Sequence, residues 1–139
     1  MSKNYPLAIP TEYKGIEFHS KLEARWGVFL DQLDIEWSYE PNGPASAPDF
    51  GLYGDVKYYY MEVKGGMPSK NCIRHMRSIK CQVIAVGGFF KFQRPTLLRV
   101  TKIGVAPILL ESMFFGKSKL DIKAAFTYAA QHRFDLARG

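Results

Sequence analysis

The strongest pattern of apolar positions along the chain spans residues 21–33. Apolar side chains recur there every three or four residues, which predicts an amphipathic helix with one buried stripe. Ser20 is suited to be its N-cap, and Glu23 three residues later would complete a capping box. Glu23 also flanks the stripe and would face the edge of the sheet that the helix covers, so a structural and a functional interpretation both stay open. The stripe consists of Leu22, Trp26, Phe29, Leu30 and Leu33.

Three segments downstream have the alternation or the short length of strands, at residues 36–40, 48–53 and 58–64. The Gly-Asp turn sequence at 54–55 would join the second and third strands as a hairpin. Strands of similar length on the two sides of that turn make the register feasible. The pattern therefore predicts a three-stranded unit after the first helix.

One end of this hairpin carries charged side chains. The predicted register brings Asp49 near Glu62 and Lys64. Alternate residues of a strand share one face, so Glu62 and Lys64 project together, roughly 6–7 Å apart at their Cα atoms. For these two residues alone, a solvent-facing ion pair on a half-exposed strand is the simplest explanation.

The rest of the chain completes one α/β domain over residues 1–139. We expect a mixed central sheet flanked by helices, in the order helix, three strands, helix, strand, strand, helix. Residues 1–17 show no clear period and are expected to be an irregular N-terminal arm. The later elements are a helix at 69–80, a buried central strand at 82–87, a strand at 97–102 and a final helix at about 118–133.

Composition narrows the class of protein. With 47% apolar residues in 139, the chain can bury a substantial core. The net charge of +6 favours a polyanionic partner. Two cysteines cannot build a disulfide framework or a four-cysteine zinc site. We see no apolar run of a signal peptide or membrane span, so the sequence predicts a soluble, cytoplasmic protein without a membrane partner.

Three carboxylates converge in the predicted fold, those of Glu23, Asp49 and Glu62, with Lys64 beside them. Clustered carboxylates resist ionisation unless a cation compensates their charge. Hard oxygen ligands in this number suit Mg²⁺, which keeps several waters and works on phosphate substrates. Lys64 could orient a water molecule or neutralise charge that develops on a phosphate. These groups together would support metal-assisted phosphodiester hydrolysis.

The order Glu23, Pro48-Asp49 and Glu62-Val63-Lys64-Gly65 resembles the active-site signature of the PD-(D/E)XK nuclease superfamily. The resemblance covers residues 13–66 well and the remainder loosely. The chain is similar above all to small phage and bacterial members of this superfamily, including resolvase-type enzymes that cut branched DNA. It implies a restriction-endonuclease-like core, α-β-β-β-α-β, and a Mg²⁺-dependent DNA endonuclease that accepts Mn²⁺ and needs no organic cofactor.

The resemblance also implies roles for single residues. Asp49 and Glu62 would hold the metal, with the Val63 carbonyl as a backbone ligand. Glu23 would bind a second metal or a metal-bound water, and Lys64 would position or activate the nucleophilic water. The host would be a bacterium or a phage-infected cell.

The resemblance rests on the order and spacing of all these residues, because a Glu-x-Lys triplet alone is common. Similar triplets occur at 12–14, 55–57 and 121–123, but none has both a Pro-Asp strand upstream and a strand pattern of its own. The chain departs from the family after Glu40, where Asn42-Gly43-Pro44 replaces the acidic and aromatic residues of many relatives. Glu40 therefore has no clear support as a ligand, and there is no zinc-ribbon insertion.

Contacts to nucleic acid are expected from basic residues after the site. Lys70, Arg74 and Arg77 group on the outer side of the 69–80 helix, where they form either a solvated basic face or phosphate contacts. In the final segment, Lys119, Lys123 and Arg133 would add to them. Phe89, Phe90 and Phe92, near Lys91 and Arg94, could stack on bases, but core packing is the better explanation.

A small nuclease without a helix-turn-helix or zinc module has little surface for reading sequence, so selectivity for branched or flapped DNA is expected. Paired cuts at a branch require two active sites, and a homodimer is therefore expected. Two alternatives remain from the residues alone. One is a non-catalytic nucleic-acid-binding protein on the same fold, and the other is a nuclease that acts on RNA.

Overall fold

The computed structural model describes residues 8–90, 94–114 and 116–134. It is a mixed α/β structure with a six-stranded sheet and three α-helices, which confirms the predicted fold class. A short 3-10 helix, Leu110–Ser112, precedes the last helix. The elements are β1 (Thr11–Tyr13), β2 (Ile16–Phe18), α1 (Lys21–Gln32), β3 (Trp37–Tyr39), β4 (Phe50–Tyr53), β5 (Tyr58–Lys64), α2 (Lys70–Ser78), β6 (Val83–Val86), β7 (Thr96–Val100), β8 (Val105–Ile108) and α3 (Lys119–Gln131).

The six-stranded sheet has the strand order β3-β4-β5-β6-β7-β8. Only the central pair β5–β6 is parallel, and the other four pairs are antiparallel. A parallel pair needs a crossover connection, and α2 supplies it. This places β5 in the middle of the sheet, hydrogen-bonded on both sides, so its carboxyl end has a fixed position.

Two hydrophobic clusters cover the two faces of the sheet. On one face, α1 and α3 pack over Phe50, Met61 and Val63, and on the other, Met76 of α2 packs with Ile84. The predicted inward residues of α2, namely Cys72, Ile73, Met76 and Ile79, all belong to this second cluster.

The core-packing interpretation of the phenylalanine segment is confirmed for one of its residues. The Phe89 ring stacks on Phe126 with centroids 4.4 Å apart. Phe90 is 60% exposed, and Phe92 lies outside the described residues. Arg94 is not part of a free basic loop, because its guanidinium pairs with Glu111.

The prediction of an irregular arm over residues 1–17 is wrong for its second half. β1 and β2 form an antiparallel hairpin. Asp31 of α1 anchors this hairpin by accepting hydrogen bonds from the Tyr13 hydroxyl at 2.6 Å and from Lys14 Nζ at 3.1 Å. The same carboxylate accepts from Trp37 Nε1 at 2.8 Å and so ties the hairpin to β3 as well. Residues 1–7 lie outside the described part of the chain.

The last helix is shorter than predicted and is fixed by one arginine. α3 ends at Gln131, so Arg133 is not helical. Arg25 Nη1 donates to the backbone carbonyl of Ala129 at 2.7 Å and to that of His132 at 2.9 Å. Carbonyls at the end of a helix have no hydrogen-bond donor within the helix, and Arg25 supplies one here. β8 is absent from the predicted elements. It contains Pro107, which is tolerated because β8 is an edge strand of the sheet. Within the described residues, no helix has the length and apolar character to cross a membrane.

Candidate functional site

Asp49 and Glu62 face each other at the open end of the β4–β5 hairpin. Phe50 pairs with Met61, so the register carries Asp49, one residue earlier, to the position opposite Glu62. The Asp49 N–H donates to Glu62 Oε1 at 3.2 Å, and the Val63 N–H donates to Asp49 Oδ2 at 2.8 Å. The predicted approach of Asp49 to the end of β5 is therefore confirmed.

Lys64 lies on the same face of β5 as Glu62. Its Nζ is 3.5 Å from Glu62 Oε2. The Glu62 side chain is only 10% exposed, whereas that of Lys64 is 40% exposed. The pair is therefore not the solvent-facing ion pair that the strand pattern alone suggests. A buried carboxylate is held against an ammonium group that still reaches solvent.

Glu23 enters the site from the first turn of α1. Its N–H donates to Ser20 Oγ at 3.1 Å, as the predicted N-cap requires. Its carboxylate accepts a hydrogen bond from the Tyr39 hydroxyl, and that hydroxyl accepts one from the His19 N–H at 3.0 Å. The side chain is thus directed at β3 rather than back to the cap, unlike Asp121 in the complete capping box of α3.

The three carboxylates influence one another. Burial is the largest cause that raises the pKa of Asp49, to about 7, and the charges of Glu23 and Glu62 add to it. The Val63 N–H and Lys64 oppose this shift. Burial also raises the pKa of Glu23, against the Tyr39 hydrogen bond and the nearby His19. An added cation would relieve this excess of negative charge.

The donor chemistry fits a hard divalent cation held by few protein ligands. Asp49 and Glu62 offer carboxylate oxygens from adjacent strands, and Mg²⁺ is bound in many proteins by one or two carboxylates and several waters. Within the described residues, no group of three or more His, Cys, Asp or Glu side chains is arranged to hold a metal ion. Glu23 therefore adds charge to the site without sharing a side-chain cage. For Val63 the contact seen is that of its N–H, and the role of its carbonyl stays a prediction.

A cleft of about 940 Å³ lies beside these residues. Its walls are the first turn of α1 with Glu23, the end of β5 with Lys64, the loop of residues 65–69, and Ala8 and Ile9. Glu23, Val63 and Lys64 thus connect the site to a space large enough for a substrate, whereas Asp49 and Glu62 do not line it.

The three basic residues predicted to contact DNA differ in their surroundings. Lys70 and Arg74 are exposed on α2, and Lys70 stands at the helix start next to the cleft loop. Arg77 is half-buried, and its Nε donates to the Thr101 carbonyl at 2.8 Å. The interpretation of all three as a solvated basic face is therefore wrong for Arg77, which ties α2 to the end of β7, and its contact with DNA stays a prediction.

Sequence reasoning missed the two residues that hold Glu23 and Glu40. Tyr39 donates to Glu23, and His19 Nε2 lies 2.8 Å from Glu40 Oε2. The available signals are the alternation in β3, which places Tyr39 on the face toward α1, and the closeness of His19 to Glu23 in sequence.

No protein-family model matches this chain, and no curated protein or solved structure is significantly similar to it.

Proposed function

We propose that the protein is a Mg²⁺-dependent DNA endonuclease of the PD-(D/E)XK type that hydrolyses phosphodiester bonds. The observation that carries this proposal is the contact between Asp49 and Glu62 at the end of β5, with Lys64 on the same face. The pKa of Asp49, raised to about 7, supports it, because a carboxyl of this kind is poised to exchange its proton for a cation near neutral pH.

Asp49 and Glu62 would hold the ion, with the Val63 carbonyl as a third ligand. The ion would supply charge that stabilises the pentavalent phosphate and would make a bound water more acidic. The backbone N–H groups that already donate to both carboxylates fix their orientation without help from long, flexible side chains.

Lys64 would position the attacking water or neutralise charge on the phosphate. Its ammonium group lies against Glu62 and also lines the cleft, so it can contact both the carboxylates and a bound substrate. Glu23 would bind a second ion or a water on the first, with Tyr39 holding its carboxylate in place.

The substrate would be branched or flapped DNA, recognised by shape. The net charge of +6 supports a polyanionic partner, and the exposed Lys70 and Arg74 lie on the helix that follows the cleft loop. Such contacts reach phosphates and carry little sequence information. Paired cutting of a branch would need two copies of the chain, so we propose a homodimer that works in the cytoplasm of a bacterium or phage-infected cell.

The test is incubation of the purified protein with linear, nicked, flapped and four-way-junction DNA, in Mg²⁺, in Mn²⁺ and in EDTA. The proposal expects cleavage with either metal and none in EDTA, with the junction or flap preferred over its linear arms at matched salt. DNA binding that is equal in EDTA and Mg²⁺, with no strand cleaved, would replace it with a non-catalytic binding protein. The same substrates made of RNA test whether the protein cleaves RNA as well as DNA.

A further inference from the structure

Three tyrosines lie on the face of the sheet that also carries Glu62 and Lys64. Tyr58 and Tyr60 precede Glu62 on β5 with the same alternation, and Tyr53 is the partner of Tyr58 on β4. Tyr59, between them, points to the opposite face and packs near Phe114. We call Tyr53, Tyr58 and Tyr60 the tyrosine platform.

The platform rings touch one another in a row. The centroids of Tyr53 and Tyr58 are 4.7 Å apart and those of Tyr58 and Tyr60 are 5.4 Å apart, and both contacts are edge-to-face, with interplanar angles of 65° and 81°. Tyr53 is 48% exposed, and the other two are half-buried. The row runs along the sheet toward Glu62, the next residue of this face after Tyr60.

Gly51 allows the Tyr58 side chain to cross β4. The Tyr58 hydroxyl reaches over β4 to within 3.3 Å of Ser38 Oγ on β3. A methyl group at position 51 would overlap the Tyr58 hydroxyl and the end of its ring. Because position 51 has no side chain, the end of the Tyr58 ring can rest on the backbone of β4 while the residue stays half-exposed.

The neighbourhood of the platform suits a polyanion. α2 packs on the same face of the sheet, where Met76 meets Ile84 and Tyr60 flanks that cluster. Lys70 and Arg74 are exposed on this helix, and Lys64 continues the platform face beyond Glu62. Aromatic rings and basic groups on one face of a sheet are a combination that suits single-stranded nucleic acid, with bases stacked and phosphates paired.

We propose that the tyrosine platform stacks the unpaired bases of single-stranded DNA and leads that strand to Glu62. This rests on the proposed nuclease function and deepens it, because it names the single-stranded arm of a flap or branch as the part that the enzyme holds. Stacking on an aromatic side chain contributes about 5-fold to about 100-fold in affinity per base. The platform would therefore favour unpaired over paired DNA next to the cut.

The binding experiment uses a fluorescent oligothymidylate and a blunt duplex of equal length, both in EDTA so that no cleavage occurs. A Tyr58→Leu/Tyr60→Leu variant should lose at least about 25-fold in affinity for the single strand, about 5-fold or more for each ring, with little change for the duplex. Tyr128→Leu is the matched control, because Tyr128 is 49% exposed on α3, across the sheet. Equal single-strand affinity of the double variant and wild type, or an equal loss for the duplex, would overturn the proposal.

A second measurement uses only the wild-type protein, so a folding defect in the tyrosine variants cannot affect its result. Wild-type protein is photocrosslinked to an oligonucleotide with 5-iodouracil at each position, and the attachment points are mapped. Crosslinks at Tyr53, Tyr58 or Tyr60 support the platform, and crosslinks found only elsewhere refute it. Absence of Mg²⁺-dependent cleavage would refute the nuclease and leave this stacking result standing, so the two failures are distinguishable.

Discussion

The Asp49 N–H donates to Glu62 Oε1 across the β4–β5 hairpin at 3.2 Å, so the backbone of one acidic residue orients the carboxylate of the other. The Asp49 carboxylate is held in turn by the Val63 N–H. Both carboxylates are thus fixed by main-chain donors, one just before β4 and the other on β5. The arrangement costs stability near neutral pH, because burial and neighbouring charge raise the pKa of Asp49 to about 7.

The first prediction concerns pH and stability. The unfolded chain releases the Asp49 proton near its ordinary pKa of 3.8, but the folded protein retains it up to about pH 7. The contribution of this residue to stability is therefore present at low pH and is lost as pH rises through that window. Asp49→Asn keeps an acceptor for the Val63 N–H and removes the titration. We expect it to be more stable than wild type at pH 8 by an amount on the order of a few kcal/mol, at about 1.4 kcal/mol per pKa unit.

Urea unfolding at pH 4, 6 and 8 measures this difference, which should grow from pH 4 to about pH 7 and then level off. Added Mg²⁺ should stabilise wild type and leave Asp49→Asn nearly unchanged, since only the former has the ionisable ligand. Parallel pH profiles for the two proteins would show that Asp49 does not titrate in this range.

The second prediction concerns cleavage. Asp49→Ala or Glu62→Ala should each lower the cleavage rate by at least about 10²-fold, since a group that binds the ion or the water is lost. Asp55→Ala is the control, because Asp55 belongs to an Asp-x-Lys triplet in the turn at the far end of the same hairpin. Circular dichroism checks that each variant is folded. Cleavage near the wild-type rate in both site variants would refute the assignment of the site.

The elements that could be predicted from the sequence are those with a long, regular period. α1 has five apolar positions in one stripe, and β4 and β5 are joined by a turn whose residues have strong preferences. Because the period of a strand is two, that turn also fixed the positions of Asp49 and Glu62 relative to each other. The β1–β2 hairpin has only three residues in each strand, too few for a period to be recognised.

The parts of the site that escaped prediction depend on contacts between residues distant in sequence. Arg77 has the same helical spacing as Lys70 and Arg74, but β7 ends beside it and supplies the Thr101 carbonyl. The clustering of carboxylates predicts resistance to ionisation, but burial, which is the largest cause of the raised pKa of Asp49, is not encoded in the pattern. The hydrogen bond that turns Glu23 away from its cap comes from Tyr39 in the next element.

The third prediction separates the two interpretations of Glu23. Glu23→Gln keeps an acceptor for the Tyr39 hydroxyl, so the melting temperature should change little, whereas the cleavage rate should fall at least about 10²-fold. Ser20→Ala is the converse control. It removes the cap of α1 and should cost about 1 kcal/mol of stability with little effect on the cleavage rate. A Glu23→Gln protein with full activity would leave this residue a purely structural role.

The fourth prediction tests the packing of Tyr58 over Gly51. Gly51→Ala should displace the ring and lower the affinity for single-stranded DNA, while a half-exposed ring can move outward at a modest cost in stability. In a Tyr58→Ala background the same change should be neutral or slightly stabilising, because alanine restricts the unfolded chain more than glycine. A double-mutant cycle measures this coupling in both stability and binding. Additive effects would show that Tyr58 does not rest on position 51.

The last prediction divides the basic residues of α2. Lys70→Ala and Arg74→Ala should each weaken DNA binding for all sequences and lower the steepness of log K against log salt by about 1, as expected for the loss of one phosphate contact. Arg77→Ala should leave that steepness unchanged and instead lower stability by about 1 kcal/mol, because its hydrogen bond to the Thr101 carbonyl is lost. Salt titrations in EDTA and thermal unfolding measure the two effects separately. If Arg77→Ala reduced the salt dependence as much as the other two, its guanidinium would have to leave Thr101 for a phosphate when DNA binds.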